Sequence, residues 1–219
     1  MHRYDPNRQR LALGLAFLAG QVDATGFLIA GGYFTSFMSG NTTRLGVDLI
    51  ASPAIAILPA AIIGCFLTGV VAGAQVAIRW QGRHKRILLA AVAGILGVAA
   101  LAAWQGHGLL FLGTAAAAMG VSNNVFSRDG EVIVGVTYMT GALVRFGQGL
   151  AARIGGRPVD AMRGYGLLWS ALAAGAVWGA WLYSLDQDRA PFAAFGLAVV
   201  LCAYAFRIER TRLTRTAAT

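Results

Sequence analysis

The stretch Phe34-Thr35-Ser36-Phe37-Met38-Ser39-Gly40-Asn41-Thr42-Thr43-Arg44-Leu45-Gly46 places a polar patch and one arginine inside an otherwise apolar chain. Its central pattern recurs 101 residues later as Met139-Thr140-Gly141-Ala142-Leu143-Val144-Arg145-Phe146-Gly147. Both copies read Met, Ser or Thr, Gly, three residues, Arg, Leu or Phe, Gly. We interpret them as two broken-helix elements that face each other inside a membrane.

The composition predicts the class of protein. The 219-residue chain is 57% hydrophobic and 12% charged, with a mean hydropathy of +0.63, whereas a soluble domain has about 25% charged residues. Apolar runs of about 20 residues recur along it, which is the length of a transmembrane helix. The sequence therefore predicts a single all-α membrane domain over residues 1–219.

The net charge of +9 does not indicate a nucleic-acid partner, because the basic residues lie in short segments between apolar runs. In such positions they set the topology and contact anionic membrane lipids. We therefore expect membrane lipids, and no nucleic acid, among the partners.

Eight helical segments are predicted, at 11–30, 33–51, 53–80, 87–105, 109–126, 133–150, 164–185 and 190–206. If all eight cross the membrane and the N-terminus is inside, the basic loop 81–86 lies outside, against the positive-inside rule. If segments 33–51 and 133–150 do not cross, fifteen of the eighteen Lys and Arg residues lie inside. We therefore predict six transmembrane helices plus two re-entrant or broken helices, in the bacterial inner (plasma) membrane, with cytoplasmic N- and C-termini.

The six-span topology implies an internal repeat. Residues 11–105 and 108–207 each contain a span, a motif segment and two further spans. Three spans are an odd number, so the two units must have opposite orientations, which defines a 3+3 inverted-topology repeat. The first motif then re-enters from the outside and the second from the cytoplasm. Such repeats are frequent in transporters and in some channels.

The two motifs supply the predicted substrate site. Gly40 and Gly141 are expected to break the helix, and Ser39 and Thr140 to cap the segment that follows. Arg44 and Arg145 then lie near positive helix ends, which suits an anion. In the alternative interpretation, Arg44 pairs with Asp48 and Arg145 extends to the interface. The predicted substrate-binding residues are Ser39, Gly40, Asn41, Thr42, Arg44, Thr140, Gly141 and Arg145.

Asp23 is the acidic residue inside an apolar span, and a carboxylate there is a functional candidate. It is predicted to act as a proton relay or a counter-ion, and the alternative is a structural pair with Arg44 or Arg145. Its counterpart in the second unit lies near Asn123 or Asn124. The supporting polar residues are Gln21, Asn123, Asn124 and Gln148.

Other chemistry is not indicated. His2, His84 and His107 have no ligand partners at metal spacing, so no metal site is predicted. The chain shows no nucleophile–base pair, so we expect no enzyme and no cofactor. Small-residue spacings at 69–73 and 175–179 favour close helix contact, within the bundle or in a homodimer.

The segments Gly20-Gln21-Val22-Asp23-Ala24 and Met38-Ser39-Gly40-Asn41-Thr42 resemble the YoaK family of bacterial multi-pass membrane proteins (domain of unknown function 1275). The later segments Met119-Gly120-Val121-Ser122-Asn123-Asn124 and Thr137-Tyr138-Met139-Thr140-Gly141 are similar to the second-half signature of that family. The resemblance implies a location and a fold, and it implies no substrate.

From these patterns we predict a small secondary transporter of an anionic or polar small solute or ion, with Asp23 as the candidate residue for proton coupling. The alternatives are a channel-like pore with two re-entrant elements and a non-transporting membrane scaffold.

Overall fold

The computed structural model describes residues 6–80, 82–128, 131–132, 137–156 and 162–216, which form eight helices and one short ribbon. The first four helices are α1 (Pro6–Ile29), α2 (Met38–Ala51), α3 (Ile57–Arg79) and α4 (His84–Trp104). The last four are α5 (Gly108–Ser122), α6 (Met139–Ile154), α7 (Met162–Leu185) and α8 (Ala190–Thr216). Between α5 and α6, strands β1 (Ser127–Arg128) and β2 (Glu131–Val132) pair antiparallel.

The helix lengths suit a membrane. Within the described residues, five helices are long and apolar enough to cross it: α1, α3, α4, residues 164–185 of α7 and residues 190–208 of α8. The apolar helix α5 is shorter, with 15 residues. Helices α2 and α6 have 14 and 16 residues, or about 21 and 24 Å, less than the roughly 30 Å of a hydrocarbon core. The chain is an all-α, multi-pass membrane protein.

The boundaries near the first motif differ from the predicted ones. Helix α1 is followed by Gly31 and Gly32, with φ of 65° and 111°, a conformation that glycine adopts at little cost. The next residues are irregular, so α2 begins at Met38 and α3 at Ile57, rather than at 33 and 53. The interruption of the helix therefore precedes Met38, where the repeated pattern begins.

The prediction that Gly40 and Gly141 break the helix is wrong. Each lies in the first turn of its helix, and neither is among the glycines with positive φ. The prediction that Ser39 and Thr140 are N-caps is also wrong, since the N-cap positions belong to aromatic residues without a capping side-chain bond.

Glycines bring α1 and α7 into backbone contact. A Cβ atom at Gly20 would overlap the carbonyl oxygen of Leu172, and one at Gly175 would overlap that of Phe17. Because only glycine leaves this space free, the two helices approach more closely than larger side chains allow.

The same arrangement joins α3 and α5. A Cβ atom at Gly120 would overlap the carbonyl oxygen of Phe66, and one at Gly69 would overlap that of Ala117. Each residue of α1 and α5 in these pairs has its counterpart 100 residues away, and each residue of α3 and α7 has one 106 residues away. The two interfaces are therefore equivalent.

The contacts also give the helix directions. Phe17 and Gln21 of α1 lie against Gly175 and Gly179 of α7, so these helices are parallel, and the equivalent pairs make α3 and α5 parallel. Gly26 and Ile29 of α1 lie against Leu112 and Gly108 of α5, so α1 and α5 are antiparallel.

The helix directions determine where the connecting segments begin and end. Since α3 is parallel to α5, and α5 is antiparallel to α1, helices α1 and α3 have opposite directions. The same reasoning applies to α5 and α7. Each connection that contains α2 or α6 therefore begins and ends at the same end of the bundle.

The core between the long helices is apolar and includes the fully buried Leu15, Leu18, Leu88, Leu96, Leu112 and Met119.

Candidate substrate cavity

The carboxylate of Asp23 holds the irregular segment that precedes α2. Its Oδ1 accepts the backbone N–H of Thr35 at 2.8 Å, the hydroxyl of Thr35 at 2.9 Å and the backbone N–H of Ser36 at 2.6 Å. Its Oδ2 accepts the hydroxyl of Ser36 at 2.6 Å. We call residues 33–37 the α2 lead-in. Through these four hydrogen bonds Asp23 fixes the lead-in to α1.

Asn41 supports the same segment from the first turns of α2. It is fully buried, its Oδ1 accepts the backbone N–H of Phe34 at 3.0 Å, and its Nδ2 donates to the carbonyl oxygen of Phe34 at 2.7 Å. The hydroxyl of Thr42 donates to the carbonyl oxygen of Met38 at 2.8 Å. Both residues therefore make contacts within the motif.

The second half has an equivalent but weaker arrangement. Asn123 lies 100 residues after Asp23, and its Oδ1 accepts the hydroxyl of Thr137 at 3.1 Å, where Thr137 corresponds to Ser36. The next residue, Asn124, donates to the carbonyl oxygen of Val70 at 3.1 Å and so ties α5 to α3. Thr137 and Tyr138 form the α6 lead-in. The second unit thus holds its lead-in with a neutral amide where the first uses a carboxylate.

Both lead-ins open onto one cavity of about 900 Å³, which is within the usual size of small-molecule sites. It extends between α1, α3 and α7, and the first turns of α2 and α6 reach it. The residues of the lead-ins and of α2 and α6 that line it are Phe34, Ser36, Phe37, Met38, Ser39, Thr137, Tyr138, Met139, Thr140, Gly141 and Leu143. The other helices contribute Gly20, Asp23, Ala24, Phe27, Leu28, Phe66, Trp169, Leu172, Ala176 and Ala180.

The lining is apolar and aromatic around one charged side chain. The ring centroids of Phe27 and Phe34 are 5.2 Å apart, and those of Phe34 and Phe37 are also 5.2 Å apart. Among the described side chains that line the cavity, Asp23 is the only carboxylate, and none is Lys, Arg or His. The site therefore offers ring faces, a few hydroxyl groups and a single carboxyl group.

Gly40 has a packing role beside this cavity. A Cβ atom there would overlap the ring of Phe37 and lie 3.1 Å from the ring of Phe34. Glycine therefore lets both rings lie against the first turn of α2. At Gly141 a Cβ atom would meet nothing within 4 Å.

Comparison with known proteins identifies the family. The family described as "Protein of unknown function (DUF1275)" matches residues 11–206. The chain belongs to the DUF1275 family. It is 36% identical over 215 residues to the UPF0700 transmembrane protein RA0705 of Rhizobium meliloti (strain 1021), covering 93% of this chain and 91% of that protein. No solved structure matches the chain.

In this DUF1275 protein the two motif arginines lie outside the cavity. The guanidinium of Arg44 lies over the ring of Tyr33, 4.9 Å from its centroid, and the hydroxyl of Tyr33 donates to Asp48 at 3.3 Å. Arg145 donates to the hydroxyl of Tyr165 at 2.8 Å. Both arginines are exposed, and each covers its own tyrosine. The structure therefore does not bring them together into the predicted anion site.

The predicted supporting residues divide in the same way. Asn123 and Asn124 hold the second lead-in and α5, as described above. Gln21 is buried and Gln148 is exposed, and neither lines the cavity. Among the described side chains, no group of three or more His, Cys, Asp or Glu residues could hold a metal ion.

The sequence did not predict the hydrogen-bond partners of Asp23 or the aromatic part of the DUF1275 cavity. Phe27 lies one helical turn after Asp23, so the two side chains share a face of α1, and this spacing is a readable signal. Trp169 was not separable by sequence from the tryptophans of the membrane interface.

Proposed function

We propose that this DUF1275 protein is a small secondary transporter of the bacterial inner membrane. Its substrate site is the cavity between the α2 and α6 lead-ins. The observation that carries the proposal is that two equivalent segments, 101 residues apart, line one cavity beside an intramembrane carboxylate. Transporter sites are commonly formed by such interrupted helices at a repeat interface.

In the proposed topology six helices cross the membrane, and α2 and α6 return to the side from which they started. The opposite directions of α1 and α3, and of α5 and α7, support this arrangement. Arg145 and Phe146 of α6 lie against Tyr165 and Gly166, so α6 extends from the cavity back along the first turn of α7. The basic loops support cytoplasmic N- and C-termini.

The inverted 3+3 repeat of residues 11–105 and 108–207 belongs to this proposal. It is supported by the equivalent glycine contacts of α1 with α7 and of α5 with α3, and by the antiparallel pair α1 and α5. In transporters of this design, one repeat moves against the other around the fixed substrate site, so that the site opens first to one side of the membrane and then to the other. The motif arginines first indicated an anionic substrate, but the cavity lining contains no basic side chain. We therefore propose a polar solute that is not an anion.

Asp23 is the proposed coupling residue. Its Oδ1 accepts two backbone N–H groups, which can only donate, so a bound proton resides on Oδ2. There it faces the hydroxyl of Ser36, which can change from donor to acceptor. A proton can therefore be taken up while the backbone contacts of the lead-in remain.

Flux into proteoliposomes tests the transport proposal. We expect the purified protein to accelerate the uptake of one class among cationic, neutral and anionic solutes, and to move protons with it. Asp23→Asn should abolish the response to a pH gradient, and Asp48→Asn, a carboxylate outside the cavity, should keep it. If no solute moves faster than in protein-free liposomes, the transport proposal fails. If Asp23→Asn keeps proton-driven uptake, the coupling proposal fails.

Cysteine labelling tests the topology. After replacement of Cys65 and Cys202, single cysteines at Arg83, His107 and Gln187, which are exposed, report the side of three connections. We expect an impermeant maleimide added to intact cells to label positions 107 and 187, and to label position 83 only after lysis. Labelling of position 83 in intact cells would contradict the six-span topology.

A further inference from the structure

The cavity holds a single acidic side chain. Among the described residues that line it, Asp23 is the only carboxylic acid, and no Lys, Arg or His accompanies it. An isolated carboxylate inside a membrane domain is costly unless a positive group reaches it. The hydrogen bonds from Thr35 and Ser36 lower this cost, but they add no positive charge.

Asp23 also keeps room for another donor. A carboxylate has about four acceptor positions. Oδ1 already accepts three hydrogen bonds, whereas Oδ2 accepts one, from Ser36. Because Asp23 lines the cavity, a ligand bound there can use this remaining capacity.

Aromatic rings line the same cavity as the carboxylate. Phe27 is one turn from Asp23 on α1, and the rings of Phe34 and Phe37 continue the cluster at centroid distances of 5.2 Å. The faces of aromatic rings attract cations, by about 0.5–2 kcal/mol each, and they also provide apolar contact for a carbon skeleton. A carboxylate with adjacent phenyl rings matches the recognition of an organic ammonium.

The first turns of α2 and α6 also reach the cavity and favour negative charge. A helix end carries only about half a unit charge, spread over several N–H groups. An ionised Asp23 instead concentrates a unit charge on two oxygens, and its Oδ2 accepts only one hydrogen bond from the protein, that of Ser36. The localised carboxylate therefore determines which charge the ligand places beside the aromatic cluster.

We infer that the transported solute carries a protonated amine on an apolar or aromatic body, with the ammonium on Asp23 Oδ2 and the body against Phe27, Phe34 and Phe37. This inference rests on the proposed transport function. The expected ligand is therefore a cation rather than the anion that the motif arginines indicated, and its body occupies the apolar volume of the cavity.

Three probes of nearly equal shape test the inference by titration calorimetry on the purified full chain in detergent at pH 7: 2-phenylethylammonium, 2-phenylethanol and 3-phenylpropionate. We expect the amine to bind at least tenfold more tightly than the alcohol and the carboxylate. Asp23→Asn should remove this preference, and Asp48→Asn should retain it. Equal binding of the alcohol, or tighter binding of the carboxylate, would overturn the inference from the wild-type protein alone, even if Asp23→Asn does not fold.

Flux assays with the same probes separate this inference from the transport proposal. Selective amine binding without accelerated flux would overturn transport and leave the ligand class standing. Accelerated flux of the carboxylate, without amine binding, would overturn the ligand class and leave transport standing.

Discussion

The backbone N–H and the hydroxyl of Thr35 both donate to a single oxygen of Asp23, at 2.8 and 2.9 Å. The two residues are twelve positions apart, on either side of the glycines that follow α1. This double contact means that a residue of a membrane helix fixes the start of the motif helix. The carboxylate of Asp23 therefore both holds the α2 lead-in in place and lines the cavity.

Replacing Asp23 by Ala should destabilise the α2 lead-in. Two backbone N–H groups and two hydroxyls would lose their acceptor, and an unsatisfied buried donor costs about 1–3 kcal/mol. We expect a loss of about 2–4 kcal/mol in unfolding free energy, measured as a lower thermal midpoint in detergent. Asp48→Ala, which removes one 3.3 Å contact with Tyr33, serves as the control and should change the midpoint far less. Equal midpoints for the two variants would contradict the structural duty of Asp23.

The glycine contacts predict opposite outcomes for chemically identical changes. Gly20→Ala and Gly120→Ala place a methyl group on a backbone carbonyl, and we expect each to cost about 2 kcal/mol or more. Gly64→Ala and Gly94→Ala place it in open space within a helix and should stabilise by up to about 1 kcal/mol. Thermal midpoints of the four variants check this ordering. A neutral Gly20→Ala would mean that α1 and α7 are further apart than described.

Gly40→Ala should lower the affinity for the ligand more than it lowers the free energy of unfolding. The added methyl group displaces the ring of Phe37, which can rotate away, whereas the backbone of α2 need not move. The loss of one ring contact predicts about fivefold weaker binding of 2-phenylethylammonium, the equivalent of about 1 kcal/mol. Gly46→Ala, on the same helix and with nothing within 4 Å, is the matched control. Unchanged amine affinity in Gly40→Ala would remove Phe37 from the site.

The motif arginines should be dispensable for amine binding. Arg44→Ala removes a contact with Tyr33, and Arg145→Ala removes one with Tyr165, all outside the cavity lining. We expect calorimetric affinities within about twofold of wild type, with a stability loss of about 0.5–1 kcal/mol from the lost cation–π contact. A large loss of affinity in either variant would place the arginines in the binding site and indicate an anionic ligand.

The repeat in the sequence did not predict which residues of the two motifs lie close together. The 101-residue displacement links Arg44 with Arg145, and both do occupy the same position in their helices. It does not say which part of each motif faces the other. In the fold the lead-ins and first turns meet, and the arginines lie about one and a half turns further along, near separate tyrosines.

The spacing of small residues predicted the glycine contacts, because the periodicity of a helix is regular. Gly69 and Gly73, like Gly175 and Gly179, lie one turn apart, and all four contact the neighbouring helix as the spacing predicted. The hydrogen bonds of Asp23 were not predictable in this way. They cross an irregular segment whose path depends on two positive-φ glycines, and no periodicity describes such a path.

The backbone contacts at Gly20, Gly69, Gly120 and Gly175 all join a helix from the first half of the chain to one from the second. During synthesis, helices α1 to α4 therefore leave the ribosome before the partners of α1 and α3 exist. Their glycine faces must remain against lipid, or against the insertion machinery, until α5 and α7 arrive. The first half of the chain is thus an unfinished fold, and its assembly has to wait for translation of the second.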